Sequence, residues 1–464
     1  MTAGKPKDIT VAHVSVSNPI TVPSGALYVA AVLSEAGYRV DFKDLTAGSY
    51  LELDPERLVA GLSDSADIVG IGCMSDTLPF VIAAARKIKA QAPEKKILLG
   101  GPGPSGVGAA LLEAFPFIDV IAVGEAEETV LEIAEALAAG TASRRDRSDR
   151  GGIRLGEVKG ICLADGGRPV TTPPRERIRN LDNLPYPLYE AIEVERYPMV
   201  NIVFSRGCPY RCTFCDVAPM WQRKNFRRSV GSVVEEIRLL HSKYGKIHFE
   251  FTDETFILSE DKVLDLCDRL KREGLDIKWS CTGRVNLVND TLLREMAAAG
   301  CQAMFFGIES GSDRVLERVN KEFTVSEAVE AIHLTLKYMR PATSFIWGFP
   351  FETKQDLTET LLLATYLSQI GVDCRLNRLA PFPLMPLFAE YGGDIEWVEP
   401  NGSRPGREAF NMAGYPAEVA DLVRRFPKIF PSFYRFPTEG FEWKRRAVDS
   451  LGRYWMETGW GEEA

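Results

Sequence analysis

Residues 199–216 read Met-Val-Asn-Ile-Val-Phe-Ser-Arg-Gly-Cys-Pro-Tyr-Arg-Cys-Thr-Phe-Cys-Asp. The first six residues are an apolar, strand-like run. Cys208, Cys212 and Cys215 follow at once, spaced Cys-x3-Cys-x2-Cys. Three thiolates on one short loop suit three irons of a cubane iron–sulfur cluster, a group that otherwise takes four cysteines. A fourth iron without a protein thiolate is an open coordination position, which points to chemistry rather than electron storage. Structural zinc is one competing reading. It calls for four ligands, often two Cys-x2-Cys pairs, and neither a second pair nor a histidine lies near this loop. A disulfide is the other. The remaining cysteines, Cys73, Cys162, Cys267, Cys281, Cys301 and Cys374, are scattered through apolar stretches, as buried thiols are. Cys281 ends a strand pattern and is the better candidate for a functional thiol, whereas Cys301 opens one and reads as core.

Upstream of the cysteines, strand and helix signals alternate. Apolar runs at 9–15, 39–45, 67–73, 96–101 and 118–123 are separated by helical stretches at 25–36, 78–92, 106–114 and 127–139. Apolar strands divided by helices predict an α/β fold with a doubly wound, Rossmann-like parallel sheet over residues 1–140. Residues 141–197 read as a linker. A polar run in which Asp146 and Asp149 break up Arg144, Arg145, Arg147 and Arg150 comes first. A β-hairpin centred on Asp165-Gly-Gly167 follows, then a proline-rich extended stretch. Over residues 198–390 the alternation resumes, with candidate strands at 199–204, 247–252, 277–281, 302–308, 343–348 and 374–379. Residues 391–464 are rich in proline, aromatic and charged residues. They predict a small, mainly helical cap with Phe426, Phe430, Phe433, Tyr434 and Phe436 buried or lining a site.

The chain has 464 residues, a formal net charge of −9 and a pI near 5.3. That balance argues against a dominant nucleic-acid footprint. No run reaches the roughly 18 apolar residues of a membrane span. The N-terminus lacks the apolar core of a secretion signal, so a cytoplasmic, reducing location is expected.

Open parallel sheets bind ligands beyond the carboxyl ends of their strands. The loops expected there are Met74-Ser-Asp-Thr77, Gly100-Gly-Pro-Gly103 and Gly124-Glu-Ala-Glu-Glu128. Gly100, Gly101 and Gly124 let a bulky flat cofactor or its nucleotide tail approach the backbone, and Ser75 and Thr77 offer hydroxyls. A bare Rossmann-like sheet, or one that binds a nucleotide, is the alternative. Gly-x-Gly-x-x-Gly is absent from the first turn, which weakens the dinucleotide option. His13 lies within the first strand and reads as a core residue.

Three further motifs follow the cysteines in order: Phe249-Glu-Phe-Thr-Asp-Glu-Thr-Phe256, Phe305-Phe-Gly-Ile-Glu-Ser-Gly311 and Ile346-Trp-Gly-Phe-Pro-Phe-Glu-Thr353. With Phe214 between the last two cysteines, the chain resembles the radical S-adenosylmethionine enzymes over about residues 178–390. Upstream, Pro23-Ser-Gly-Ala-Leu-Tyr-Val-Ala-Ala-Val-Leu33 and Gly124-Glu125 resemble the cobalamin-binding domain that precedes the radical domain in a large subgroup. The first loop lacks the Asp-x-His-x-x-Gly of methionine-synthase-type domains, so no histidine of that loop would reach cobalt.

The resemblance implies a partial (β/α)6 barrel after the N-terminal sheet. It implies a 4Fe-4S cluster on Cys208, Cys212 and Cys215 and S-adenosylmethionine on its open iron. Phe214, Asp253, Glu254, Arg284, Glu309, Ser310 and Gly348 are the expected residues around it. Asp253 and Glu254 correspond to the contact with the methionine amino group, and Arg284 to a partner for the carboxylate. Glu309 and Ser310 correspond to ribose or amino contacts, Gly348 and Phe349 to adenine packing. Cobalamin would lie on Ser75, Thr77, Gly100, Gly101, Gly124 and Glu125. The implied activity is methyl transfer to an unactivated carbon of a small-molecule or peptide substrate, with a flavodoxin- or ferredoxin-type electron donor. Radical cyclisation or rearrangement is the rival within enzymes, and a non-catalytic iron–sulfur sensor the rival outside them. The residues Trp221, Arg223, Lys224, Arg227 and Arg228 read as a surface or domain contact, or a basic patch for an acidic substrate.

Overall fold

The computed structural model describes residues 9–17, 21–141, 153–165, 167–399 and 410–457. The arginine-bearing run 142–152, residues 18–20 of the first loop and Gly166 of the hairpin turn lie outside the described residues. The chain divides into two units, Met1–Pro198 with Glu399–Phe433, and Met199–Val398 with Tyr434–Ala464.

In the first unit, β1 (Ile9–Val14), β2 (Val40–Asp44), β3 (Ile68–Cys73), β4 (Lys96–Gly100) and β5 (Val120–Ala122) pair in parallel in the order β2-β1-β3-β4-β5. Helices Ser24–Glu35, Leu78–Gln91, Pro102–Ala114 and Glu127–Thr141 connect them. Because helices cover both faces, β1 is buried at nearly every position, and its apolar run does not alternate. The hairpin strands β6 (Ile161–Asp165) and β7 (Arg168–Thr171) do not stand apart in a linker as the sequence suggests. They extend the sheet, with β6 antiparallel to β5 through Val120↔Leu163, Ile121↔Cys162 and Ala122↔Ile161. Otherwise the backbone of β5 would be an open edge, and Ile161, Cys162 and Leu163 are buried against it.

In the second unit, β8 (Val200–Ile202) leads through a small antiparallel pair, β9 (Ser205–Arg206) and β10 (Phe226–Arg227), into a strand–helix series. Strands β11 (His248–Phe251), β12 (Lys278–Gly283), β13 (Cys301–Glu309), β14 (Arg340–Trp347) and β15 (Asp373–Arg378) continue from β8 in chain order, all parallel. This is the six-unit arrangement expected of a partial barrel, and it puts every strand's carboxyl end on one rim. Helix starts are set by local chemistry. The side chains of Ser229, Asn289, Thr324 and Thr353 accept from the first-turn backbone of the helices at Val230, Asp290, Val325 and Lys354. Beneath the first strands, Phe251 packs on Phe256 at 4.6 Å and on Trp279 at 5.3 Å between ring centroids.

Residues 391–464 do not form one cap. The helix Ala417–Arg425 and Phe426, Phe430 and Phe433 after it belong to the first unit, where Phe426 meets Phe115 edge-on at 4.8 Å. The helix Phe441–Glu457 belongs to the second unit, where fully buried Lys444 pairs with Glu352 at 3.1 Å. Phe430, Phe433 and Phe436 are buried. Among the described residues, no helix is long and apolar enough to cross a membrane.

Candidate functional site

The cysteine loop leaves β8 on the carboxyl rim of its sheet, and its entry is fixed from three sides. Phe204 N–H donates to Asp253 Oδ2 at 3.0 Å and the Ser205 hydroxyl to Asp253 Oδ1 at 2.5 Å. Gly207 N–H donates to Glu254 Oε2 at 2.8 Å, while Asn225 Nδ2 donates to the Gly207 carbonyl at 2.6 Å. Gly207 has φ +102°, and a Cβ there would overlap the Lys224 carbonyl, so the residue before Cys208 must be glycine.

All three thiols are free, and they are close enough for Cys212 to act electrostatically on both Cys208 and Cys215. Burial raises the Cys208 thiol, and it pushes Cys215 up to about 11 against the pull of the Val217 and Ala218 N–H groups. Binding iron as thiolates therefore releases protons. Among the described residues no three His, Cys, Asp or Glu side chains converge on a single ion. Three free thiols on one rim loop fit three corners of a multi-iron group better than the closed tetrahedron of structural zinc.

Arg284, at the end of β12, stacks 3.7 Å over the Tyr210 ring and donates to Cys212 Sγ at 3.8 Å. Its other nitrogens donate to Asn286 Oδ1 at 3.0 Å and to the Lys321 carbonyl, and Glu322 lies 3.6 Å away. Glu309, ending β13 with φ +71°, pairs with Lys321 at 3.2 Å, and both are buried. Phe214 meets Phe349 edge-on at 6.0 Å. Gly348 has φ +90° with open space where a Cβ would stand, and its N–H donates to Glu352 Oε2 at 2.9 Å.

Several expected site residues are engaged elsewhere. Asp253 is 1% exposed and holds the loop entry with both oxygens, so it is not available to an ammonium group. Burial lifts its carboxyl to about 6. Ser310 is fully buried, bonded to the Thr360 hydroxyl at 3.1 Å and to Ser312 N–H at 3.1 Å. Arg284 is committed around Tyr210 and Cys212 as described. Arg228 is a buried partner of Glu236, and Arg227 lies 4.6 Å over the Phe204 ring, so the presumed basic patch is not one surface. Cys281 and Cys301 are both buried. Lys321 went unnoticed in the sequence, since nothing about a single lysine after Asn320 marks its pairing with Glu309.

The first unit brings its loops into one rim. A Cβ on Gly101, with φ +91°, would stand 2.7 Å from the Cys73 carbonyl, so this glycine serves the contact of the β4 loop with β3. The Gly124 N–H donates to Ser105 Oγ at 3.3 Å, joining the β5 loop to the same rim. Gly100 and Gly124 have nothing within 4 Å of a Cβ position, and Ser75 is half-buried. That open, glycine-lined rim fits a large flat ligand. Thr77 and Glu125 do not share in it. Thr77 is fully buried and donates to the Val14 carbonyl at 3.2 Å. Glu125 pairs with Arg177 at 2.7 Å and accepts from Ile178 N–H at 3.0 Å. His13 is half-buried, and desolvation lowers its basicity against a raising pull from Asp44.

Two family models match the chain, one described as the radical SAM superfamily over residues 202–364 and one as the B12 binding domain over residues 11–134. An uncharacterized methyltransferase of Pyrococcus horikoshii is 30% identical over 351 residues, 74% of this chain and 73% of that protein. The anaerobic magnesium-protoporphyrin IX monomethyl ester cyclase of Rubrivivax gelatinosus is 30% identical over 391 residues, 81% of this chain and 67% of that protein. The radical S-adenosylmethionine methyltransferase TsrM of Kitasatospora setae was solved with cobalamin and a 4Fe-4S cluster bound. It matches with a TM-score of 0.71 at 18% identity, covering 96% of this chain and 91% of that one, a likeness of fold. The chain belongs to the radical S-adenosylmethionine superfamily, among the members that carry a B12-binding domain. It is a radical S-adenosylmethionine enzyme, and S-adenosylmethionine, cobalamin and an iron–sulfur cluster are the cofactors that go with these two domains.

Proposed function

We propose that the protein is a cobalamin-dependent radical S-adenosylmethionine C-methyltransferase acting on an unactivated carbon of a small-molecule or peptide substrate. The observation that carries this reading is the three-thiol loop on the carboxyl rim of one parallel sheet, in a chain whose other sheet presents an open, glycine-lined rim. When bound, the cluster, S-adenosylmethionine and cobalamin supply a carbon radical and a methyl group. The chain's own residues bind and align. Cys208, Cys212 and Cys215 hold three irons. Glu254 and Asp253 fix the loop that carries them. Arg284 donates to Cys212 Sγ and holds it in place on the loop. Phe214, Gly348 and Phe349 offer an apolar and backbone surface for the adenosine. Ser75, Gly100 and Gly124 receive cobalamin, and an external flavodoxin- or ferredoxin-type protein supplies the electron.

Product stoichiometry tests the proposal. Methylation of an unactivated carbon consumes two S-adenosylmethionines, one as methyl source and one as radical source. Mass spectrometry should find one S-adenosylhomocysteine and one 5′-deoxyadenosine for each methylated product. The match to the Rubrivivax cyclase over 81% of the chain favours a second reading, radical ring closure. That reading predicts 5′-deoxyadenosine without S-adenosylhomocysteine. S-adenosylhomocysteine alone would indicate methylation of an already nucleophilic carbon.

A further inference from the structure

The two faces of the second unit's sheet are lined differently. Toward the helices, Phe249, Phe251, Trp279, Met304 and Phe306 are buried. Trp279 Nε1 donates to the Ala299 carbonyl at 2.8 Å, at the end of the helix Asp290–Ala298. Side chains alternate along a strand, so the residues between these point the other way. They are Glu250 on β11, Ser280 and Thr282 on β12, and Ala303 and Phe305 on β13, all half-buried. The register sets Glu250, Ser280 and Ala303 in one row and Thr282 beside Phe305 in the next. Closed barrels fill this inner space with layers of bulky branched side chains. Here the lining is small and polar, which leaves room for a ligand.

We propose that this inner face receives the substrate, and that the substrate carries an amine whose ammonium group is held by Glu250; this rests on the proposed methyl transfer and names the chemistry of what is methylated. Among the described residues, the Glu250 carboxylate has no hydrogen bond and no ion pair, and the Ser280 and Thr282 hydroxyls have no hydrogen bond. Burial raises the Glu250 carboxyl, while Arg375 on β15 pulls it down from a distance. Arg375 does not neutralise it. That guanidinium is ion-paired with Asp373 at 3.3 Å and lies 5.8 Å over the Phe305 ring. The three groups together leave one negative charge unmatched. A carboxylate partly withdrawn from water gains most from a charged donor. An ammonium supplies the charge and three donors, for which Glu250 and the two hydroxyls are acceptors. The Phe305 ring on the same face adds a surface that attracts a cation. A carboxylate or phosphate would instead be repelled by Glu250.

The test compares 2-phenylethylamine with 2-phenylethanol, which share a skeleton and differ in the charged group, by equilibrium dialysis against the anaerobically reconstituted full chain. Wild type should bind the amine about ten-fold more tightly or better. Glu250→Gln should bring the two dissociation constants together, and Glu250→Asp should keep part of the preference. A second measurement needs no variant. A water-soluble carbodiimide joins a carboxyl to an adjacent amine, so it should couple 2-phenylethylamine to Glu250 in wild type, as read by peptide mass spectrometry. Equal affinities in wild type, a preference that survives in Glu250→Gln, or a Glu250 left unmodified by the carbodiimide would overturn the assignment. None of these results touches the product stoichiometry, which tests the methyl transfer separately.

Discussion

Gly207 shows how little freedom the cysteine loop has. Its φ of +102°, its N–H bond to Glu254 and the overlap that a Cβ would make with Lys224 leave no room for a side chain. Gly207→Ala should cost about 1–3 kcal/mol of local strain and lower iron retained per chain after reconstitution; full retention would mean that the loop is looser than described. Asp253 gives a pH signature. Burial raises its folded pKa to about 6 from 3.8, so the folded state holds more protons than the unfolded state between those values. Its contribution to stability is fully present below about pH 4 and is lost as pH rises through 6. Urea unfolding of apo-protein should show wild type gaining about 1 kcal/mol from pH 7 to pH 5 relative to Asp253→Asn. Parallel pH profiles would contradict this. The cysteines were legible because their chemistry lies in consecutive spacing. Asp253 was legible as important but not in its role, because its partners Phe204 and Ser205 belong to an earlier strand.

At the scale of elements, apolar runs gave the strands nearly to the residue, as with 67–73 against Ile68–Cys73 and 302–308 against Cys301–Glu309. Buried parallel strands leave a continuous apolar signal that a sequence carries locally. Pairing is not local. The hairpin at 161–171 was readable as a hairpin, but its docking on β5 depends on an edge that exists only in the folded sheet. The partner of Glu125 was not legible for the same reason. Glu125 looked like a cofactor contact, yet it closes a buried pair with Arg177 that ties the later chain to the β5 loop. Breaking a buried pair leaves one charge uncompensated. Glu125→Ala should therefore lower unfolding stability by about 3 kcal/mol, while the folded protein still binds hydroxocobalamin in a spectral titration. Lost cobalamin binding at unchanged stability would return Glu125 to the site.

For the whole molecule, two successive strand–helix series were readable from alternation, but the division of residues 391–464 was not. Glu399–Phe433 joins the first unit and Tyr434 onward the second, a choice that depends on partners such as Phe115 and Glu352 far upstream. Composition sees only an aromatic, charged tail. One chain is expected to hold two separate metal cofactors, iron on the cysteine loop and cobalt on the other sheet. The direct measurement is iron and cobalt per chain after anaerobic reconstitution, in wild type and in the Cys208→Ala, Cys212→Ala, Cys215→Ala triple variant. Wild type should hold about four irons and one cobalamin, and the triple variant should lose the iron while keeping the cobalamin. Iron retained in the triple variant, or no cobalamin in folded wild type, would contradict this assignment.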